Sequence, residues 1–227
     1  MKALKWGFII LAGLYALACL ALLSVDAEIF KPPRRPFEID QPGFIFFEDR
    51  DGHRISGYYR EAKDGKPTLL WSHGNAGDLL GASGLAKDFN SHGYGVLAYD
   101  YPGYGHSSGE VGEEASYSSA LAAYHYLTET KGLSSENIVL AGQSLGSGPT
   151  CWLATQVEHQ SVILISPFLS VYRVVLPVPL FPGDRFPNHK RIPEMTQPLL
   201  IIHGTADGII TFAHAEKLHQ LSGAKDK

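Results

Sequence analysis

The chain passes through three regimes of apolar and polar residues. Residues 6–25 (WGFIILAGLYALACLALLSV) carry no charge and follow Lys2 and Lys5. A run of that length reaches the ~20 residues a helix needs to cross a bilayer. The expectation is a hydrophobic membrane anchor or signal peptide over 1–25, with Val25-Asp26-Ala27 as the cleavage site in the second case. Residues 26–43 include KPPRRPFEIDQPG, whose prolines oppose regular structure, so a proline-rich tether is expected there.

From residue 44 the pattern becomes an alternation of short apolar runs and helical spacings. Residues 44–47 (FIFF) and 54–59 (RISGYY) flank Asp51-Gly52, which predicts a hairpin. The runs at 68–72, 95–99, 138–141, 162–165 and 198–202 are apolar at consecutive positions. Helical spacings occupy 81–91, 113–130, 147–156 and 212–221. Strands apolar on both faces and separated by helices predict an α/β domain over 44–227, with a mostly parallel central sheet covered on both faces. Residues 166–198 are rich in proline and break the alternation; they are expected to form an irregular cap or a long crossover.

Composition narrows the function classes. With 227 residues the chain can bury one good core. A formal charge of −4 lacks the basic surplus that nucleic acid would call for. Cys19 and Cys151 form no C-x-x-C and no Cys/His ligand spacing, so no metal or other cofactor is expected, and Cys151 reads as a small buried residue. Either reading of the leader would place the domain outside the cytoplasm, anchored to the membrane or exported.

The candidate chemistry sits at residues 142–146 (GQSLG), between the run at 138–141 and the helical pattern from 147. A serine on a sharp strand-to-helix turn projects its hydroxyl from the sheet edge, and glycines on either side let the backbone reverse near its neighbours. Ser144 is therefore the candidate nucleophile, and the Leu145 amide the first donor to an oxyanion. The turn after residues 68–72 reads HGNAGD, and the Asn75 N–H, or failing it that of Ala76, is the candidate second donor. After residues 198–202 comes HGTADGII, where Asp207 follows the serine in chain order as a candidate triad acid. His73 and His203 read as histidines that organise their loops, and His106 in YDYPGYGHSSG as a solvated loop histidine.

Together HGNAGD, YDYPGYGHSSG, GQSLGSG and HGTADGII resemble the alpha/beta-hydrolase superfamily, and in particular its BEM46-like membrane-associated serine hydrolases. The resemblance runs from about residue 44 to the end of the chain. It implies the alpha/beta-hydrolase fold, Ser144 as nucleophile, Asp207 as acid, and an oxyanion hole from Leu145 and a backbone amide of the HGN turn. It also implies a histidine base in the loop after a last strand, and here the pattern breaks: the tail after Asp207 offers only His214 and His219, both within a helical pattern. On this reading the domain lacks the final strand and helix, and His214 is the weak substitute base. The activity implied is acyl transfer through an acyl-serine, on a small-molecule or lipid-like carboxylic ester. A peptidase or amidase of the same fold, and a catalytically silent membrane-tethered binding module, stand as alternatives.

Overall fold

Strands whose residues are apolar on both faces are stable only when both faces are covered, and the middle of this sheet meets that condition. The computed structural model describes residues 2–22, 29–33, 42–176 and 182–227. The strands are β1 (Phe44–Glu48), β2 (Arg54–Arg60), β3 (Thr68–Ser72), β4 (Gly95–Tyr99), β5 (Ile138–Gln143), β6 (Ser161–Ile165) and β7 (Leu199–Ile202). They form one seven-stranded sheet in the order β1-β2-β4-β3-β5-β6-β7. β1, β2 and β4 pair antiparallel, and every other pairing is parallel. β3 and β4 are buried at all five positions.

The helices are α1 (Lys2–Leu22), α2 (Leu79–Ser91), α3 (Glu113–His125), α4 (Ser147–Ala154), α5 (Val171–Val175), α6 (Asn188–Arg191) and α7 (Phe212–Leu221). Asp78 caps α2 by accepting from the Gly81 amide at 2.9 Å, a contact typically worth about 1 kcal/mol, and the helix starts two residues earlier than its apolar spacing indicated. Leu79, Ala82 and Ala86 of α2 pack against Leu69, Trp71, Val96, Ala98, Val139 and Ala141 on one face. The alternate strand residues Leu70, Leu97, Leu140, Val162 and Leu164 face α3 and α4 in the second core. The helix expected over 113–130 changes character at Tyr126, and Tyr126–Thr130 winds as a π-turn. There the Thr128 hydroxyl competes for the Tyr124 carbonyl at 3.2 Å, and Tyr126 stacks on Phe47 with centroids 5.4 Å apart.

The sheet ends on β7. Leu200 and Ile202 stand beside Ile163 and Ile165 in register, on the face that α2 covers farther along, and are 52% and 49% exposed. The crossover expected over 166–198 contains α5, α6 and the 3-10 turn Ile192–Glu194; residues 177–181 lie outside the described residues.

Two expectations at the N-terminus are corrected. No helix among the described residues is long and apolar enough to cross a membrane, so the expected transmembrane anchor is not supported. The extracytoplasmic placement rested on that expectation and loses its support with it. Nor is the segment after α1 simply a tether: Phe30 is 2% exposed, in the core beside Phe186, whereas residues 34–41 lie outside the described residues.

Candidate active site

The site is built where β3, β5, β6 and β7 end together. Parallel registry sets Ser72 beside Gly142, Gln143 beside Ile165, and Ile165 beside Ile202, so the turns after these strands share one edge of the sheet. Brought to that edge are the HGN turn, Ser144, Ser166 and the loop carrying Asp207.

Ser144 occupies a strained bend. Its φ is 51°, the left-handed region that a residue with a Cβ enters at a cost of roughly 1–2 kcal/mol. The chain leaves β5 at Gln143 and enters Ser144–Gly146 as a tight turn that runs into α4. The close approach explains the glycines. A Cβ on Gly146 would lie 2.0 Å from the Ser72 carbonyl oxygen, and one on Gly142 would lie 2.5 Å from the Gly146 carbonyl oxygen. Leu145 lies in the first turn of a helix, whose amides have no intrahelical acceptor, with the positive end of the α4 dipole behind it. No side chain among the described residues hydrogen-bonds the Ser144 hydroxyl.

The HGN turn rests on this bend. A Cβ built on Gly74 would be 3.6 Å from Ser144 Cβ. His73 is 3% exposed and lies beneath the turn, with its ring 4.4 Å from that of Tyr101 and 5.4 Å from that of Tyr104. Its Nδ1 is 2.8 Å from the Gly74 carbonyl, which can only accept, so Nδ1 carries the proton. Nε2 points at Asp100 Oδ1, 3.4 Å away, and the other carboxylate oxygen of Asp100 accepts from Ser56 at 3.0 Å. Neither Nε2 nor Asp100 Oδ1 has a hydrogen-bond partner, and the buried ring organises the turn through its Nδ1 contact and its packing on the tyrosines.

Asp207 lies in the loop after β7. Its Oδ1 accepts the amides of Ile209 (2.9 Å) and Ile210 (3.0 Å), and these bonds hold its carboxyl below the ordinary value. Oδ2 is 3.6 Å from His203 Nε2, but that nitrogen donates to the Ile210 carbonyl at 2.7 Å.

A neutral imidazole has one lone pair, and its direction decides whether the ring can be a base. In His214 that lone pair is on Nδ1 and accepts the Leu169 amide at 3.1 Å. The ring is 7% exposed, and burial, with His203 and Arg173 nearby, lowers its pKa. His214 is thus engaged in joining α7 to the loop after β6, and taking the Ser144 proton would require breaking that bond. His219 lies on the exposed side of α7. His73 directs its free nitrogen into the buried Asp100, and the free nitrogen of His203 is buried without a partner.

Sequence reasoning missed three features. Ser166, at the end of β6, also has a positive φ of 47°. Glu113 holds the crossover by accepting the Phe186 amide at 2.7 Å. The backbone of residues 29–31 reaches Asn75. The last two leave no local sequence signal, since each joins residues far apart in the chain.

Other features bear less on the site. Asp49, Asp51 and His53 have potential ligand atoms within 4.8 Å of one another, but Asp49 already accepts the amides of Asp51 and His53 and organises the β1–β2 turn. A cavity of about 460 Å³ opens between β1 and α3, lined by residues such as Phe47, Arg50, Leu121 and Tyr126, and none of its walls comes from the strand ends around Ser144.

The sheet order, the strained serine turn and the glycine turn beside it define an alpha/beta hydrolase architecture, and residues 67–184 match the family model described as alpha/beta hydrolase fold. The chain belongs to that family. Among curated relatives, the mouse alpha/beta hydrolase domain-containing protein 17C is 40% identical over 184 residues, covering 78% of this chain and 57% of that protein. The human protein 17B is 40% identical over 176 residues, covering 74% and 60%. The chain thus spans little more than half the length of these relatives. These matches establish the family and do not single out the BEM46-like group. Among solved structures, an esterase from Pyrococcus furiosus superposes with a TM-score of 0.72 at 18% identity, covering 86% of this chain and 84% of that one. The mouse alpha/beta hydrolase domain-containing protein 10 gives 0.62 at 17% identity, covering 81% and 86%. At such identities the likeness is one of fold.

Proposed function

We propose that the protein is a serine hydrolase of the acyl-transfer type, acting on a small carboxylic ester through an acyl-serine. The observation that carries this reading is the left-handed φ of Ser144, held between Gly142 and Gly146 at a strand-to-helix bend against Gly74. Strain of this kind persists where the surrounding structure over-determines it, and it serves to present the side chain. In the reaction, Ser144 Oγ bonds to the carbonyl carbon as its proton passes to a general base. The negative charge on the carbonyl oxygen is received by the amides of Leu145 and Asn75. Collapse expels the alcohol, which takes up a proton, and water then releases the acid from the acyl-serine. Asp207 is the acid that would orient the base imidazole.

An ester is favoured over a peptide because the sequence offers no motif for a charged side chain or a peptide N-terminus beside the serine turn. The exposed apolar Val175 of α5, 81% accessible, is the feature that would suit a lipid-like acyl part. A fluorophosphonate probe tests the reading: labelling of the folded chain that disappears in Ser144→Ala supports it, and folded protein that takes up no probe rejects it. Faster turnover of a p-nitrophenyl ester than of the matching anilide separates an esterase from an amidase.

A second reading, a silent binding module that uses the same edge, is favoured by one observation. No described histidine directs its lone pair at Ser144, and without a base the hydroxyl is a weak nucleophile.

A further inference from the structure

The Asn75 side chain does not face a substrate. Its Nδ2 donates to the Ile29 carbonyl, and its Oδ1 accepts the Lys31 amide at 2.7 Å. The carboxamide therefore grips the backbone on both sides of Phe30, a two-pronged contact that fixes which end is oxygen and which is nitrogen. The Tyr104 hydroxyl adds a second donor to Oδ1 at 2.8 Å and also accepts the Lys31 amide at 3.2 Å. Burial raises the pKa of the Tyr104 phenol, which keeps it a donor.

Between the two grips, Phe30 is 2% exposed and meets the Phe186 ring edge-on at 6.0 Å. Phe186 is in turn fixed by Glu113 through its amide. The backbone of residues 29–31 is thus tied to the core, and Asn75 is tied to that backbone.

On the other side of the same residue, the Gly74 carbonyl is held by the Gly77 amide at 2.9 Å and by His73 Nδ1 at 2.8 Å. The peptide is trans, so the Asn75 N–H points opposite to that carbonyl. The direction of the N–H is accordingly set from two sides: the plane of the peptide by His73 and Gly77, and the Cα position by the side-chain grip.

We propose that residues 29–31 are a positioning strap for the oxyanion hole, acting through the Asn75 carboxamide to aim the Asn75 N–H at the region above Ser144. This rests on the acyl-transfer reading. Asn75 then has two separate duties: its amide faces the oxyanion, and its side chain reads the segment that precedes the domain.

The test uses the full chain with Phe30→Ala, Phe30→Leu and Asn75→Ala, and two readouts. Hydrogen exchange at the Gly77 amide reports the turn whether or not the chain is active. Turnover of p-nitrophenyl butyrate, split into kcat and KM, reports the oxyanion. Phe30→Ala and Asn75→Ala are expected to speed Gly77 exchange at least ~10-fold while the amides of β3 and β5 stay protected. They are expected to lower kcat by about 10–100-fold with KM within about 2-fold, less than or equal to the loss of a whole oxyanion donor. Phe30→Leu, which refills the core, should restore both readouts. Unchanged Gly77 exchange in both alanine variants overturns the strap. So does faster exchange spread evenly over β3 and β5, which marks a structural role only, and so does locally faster exchange with unchanged kcat. A wild-type chain without turnover or probe labelling rejects the hydrolase reading instead, and the strap then stands or falls on the exchange alone.

Discussion

Replacing Ser144 by glycine should abolish probe labelling and at the same time stabilise the fold. Ser144 holds a Cβ at φ 51°, which costs roughly 1–2 kcal/mol for a residue other than glycine. Glycine removes that strain but gives the unfolded chain more freedom, at a cost of about 0.4–1 kcal/mol. Taking the middle of each range, the net gain is roughly 0.8 kcal/mol. For a chain of this size that corresponds to a rise in Tm of about 1–4 °C. Ser144→Ala is the control: it keeps the Cβ and the strain and removes a half-buried hydroxyl with no hydrogen-bond partner among the described residues. Its stability should stay within about 0.5 kcal/mol of the parent. The assay is urea unfolding of the three proteins at one pH, compared at equal slope. If Ser144→Gly is no more stable than Ser144→Ala, the bend is not strained in solution, and the argument that strain marks the nucleophile fails.

Gly146→Ala should be severe, because its Cβ would sit 2.0 Å from the Ser72 carbonyl and 2.7 Å from the His73 carbonyl, both backbone atoms. A loss of at least ~3 kcal/mol is expected, against under ~1 kcal/mol for Gly204→Ala, whose Cβ meets nothing within 4 Å; thermal melts of both decide it. The histidines at 159, 189 and 214 all have pKa values lowered from 6.5, chiefly by burial. Between the folded value and 6.5 the unfolded chain binds more protons, so stability is full above 6.5 and is lost as pH falls below it. His214→Asn, which can still accept the Leu169 amide, should flatten that loss in urea melts taken from neutral to mildly acidic pH. Cys151 is fully buried with its thiol pushed up to about 12, so Ellman's reagent should reach it only after unfolding, as mass mapping of the modified site would show.

Legibility in the sequence followed the range of each interaction. The strands at 68–72 and 95–99 came out at their observed limits because they are buried on both faces, and continuous apolar runs between glycines leave little choice of period. The helix at 113–130 was read as uniform because the switch at Tyr126 depends on Phe47, which is far away in the chain. Nothing in the proline content around residue 30 signals its core contact: Phe30 packs against Phe186, which is far away in the chain. The expected transmembrane anchor rested on the uncharged run alone, and no helix among the described residues is long and apolar enough to cross a membrane.

The serine turn was legible for a different reason. Its strain is local, and the glycines that permit it must sit at fixed offsets from Ser144, so the pattern survives in one dimension. A catalytic base has no such signature. Histidine residues can be counted from the sequence, but whether one can accept a proton depends on which of its nitrogens is already spent. Here the spending is done by the Gly74 carbonyl for His73, the Ile210 carbonyl for His203 and the Leu169 amide for His214. His203 is the instructive case, because it lies 3.6 Å from Asp207, close to the candidate acid but beyond hydrogen-bond reach. The proton on its Nε2 goes to the Ile210 carbonyl, and its other nitrogen is buried. An acid and an imidazole in proximity therefore do not make a dyad. The geometry of the second nitrogen settles the matter, and at this edge it leaves Ser144 presented but unpaired among the described residues.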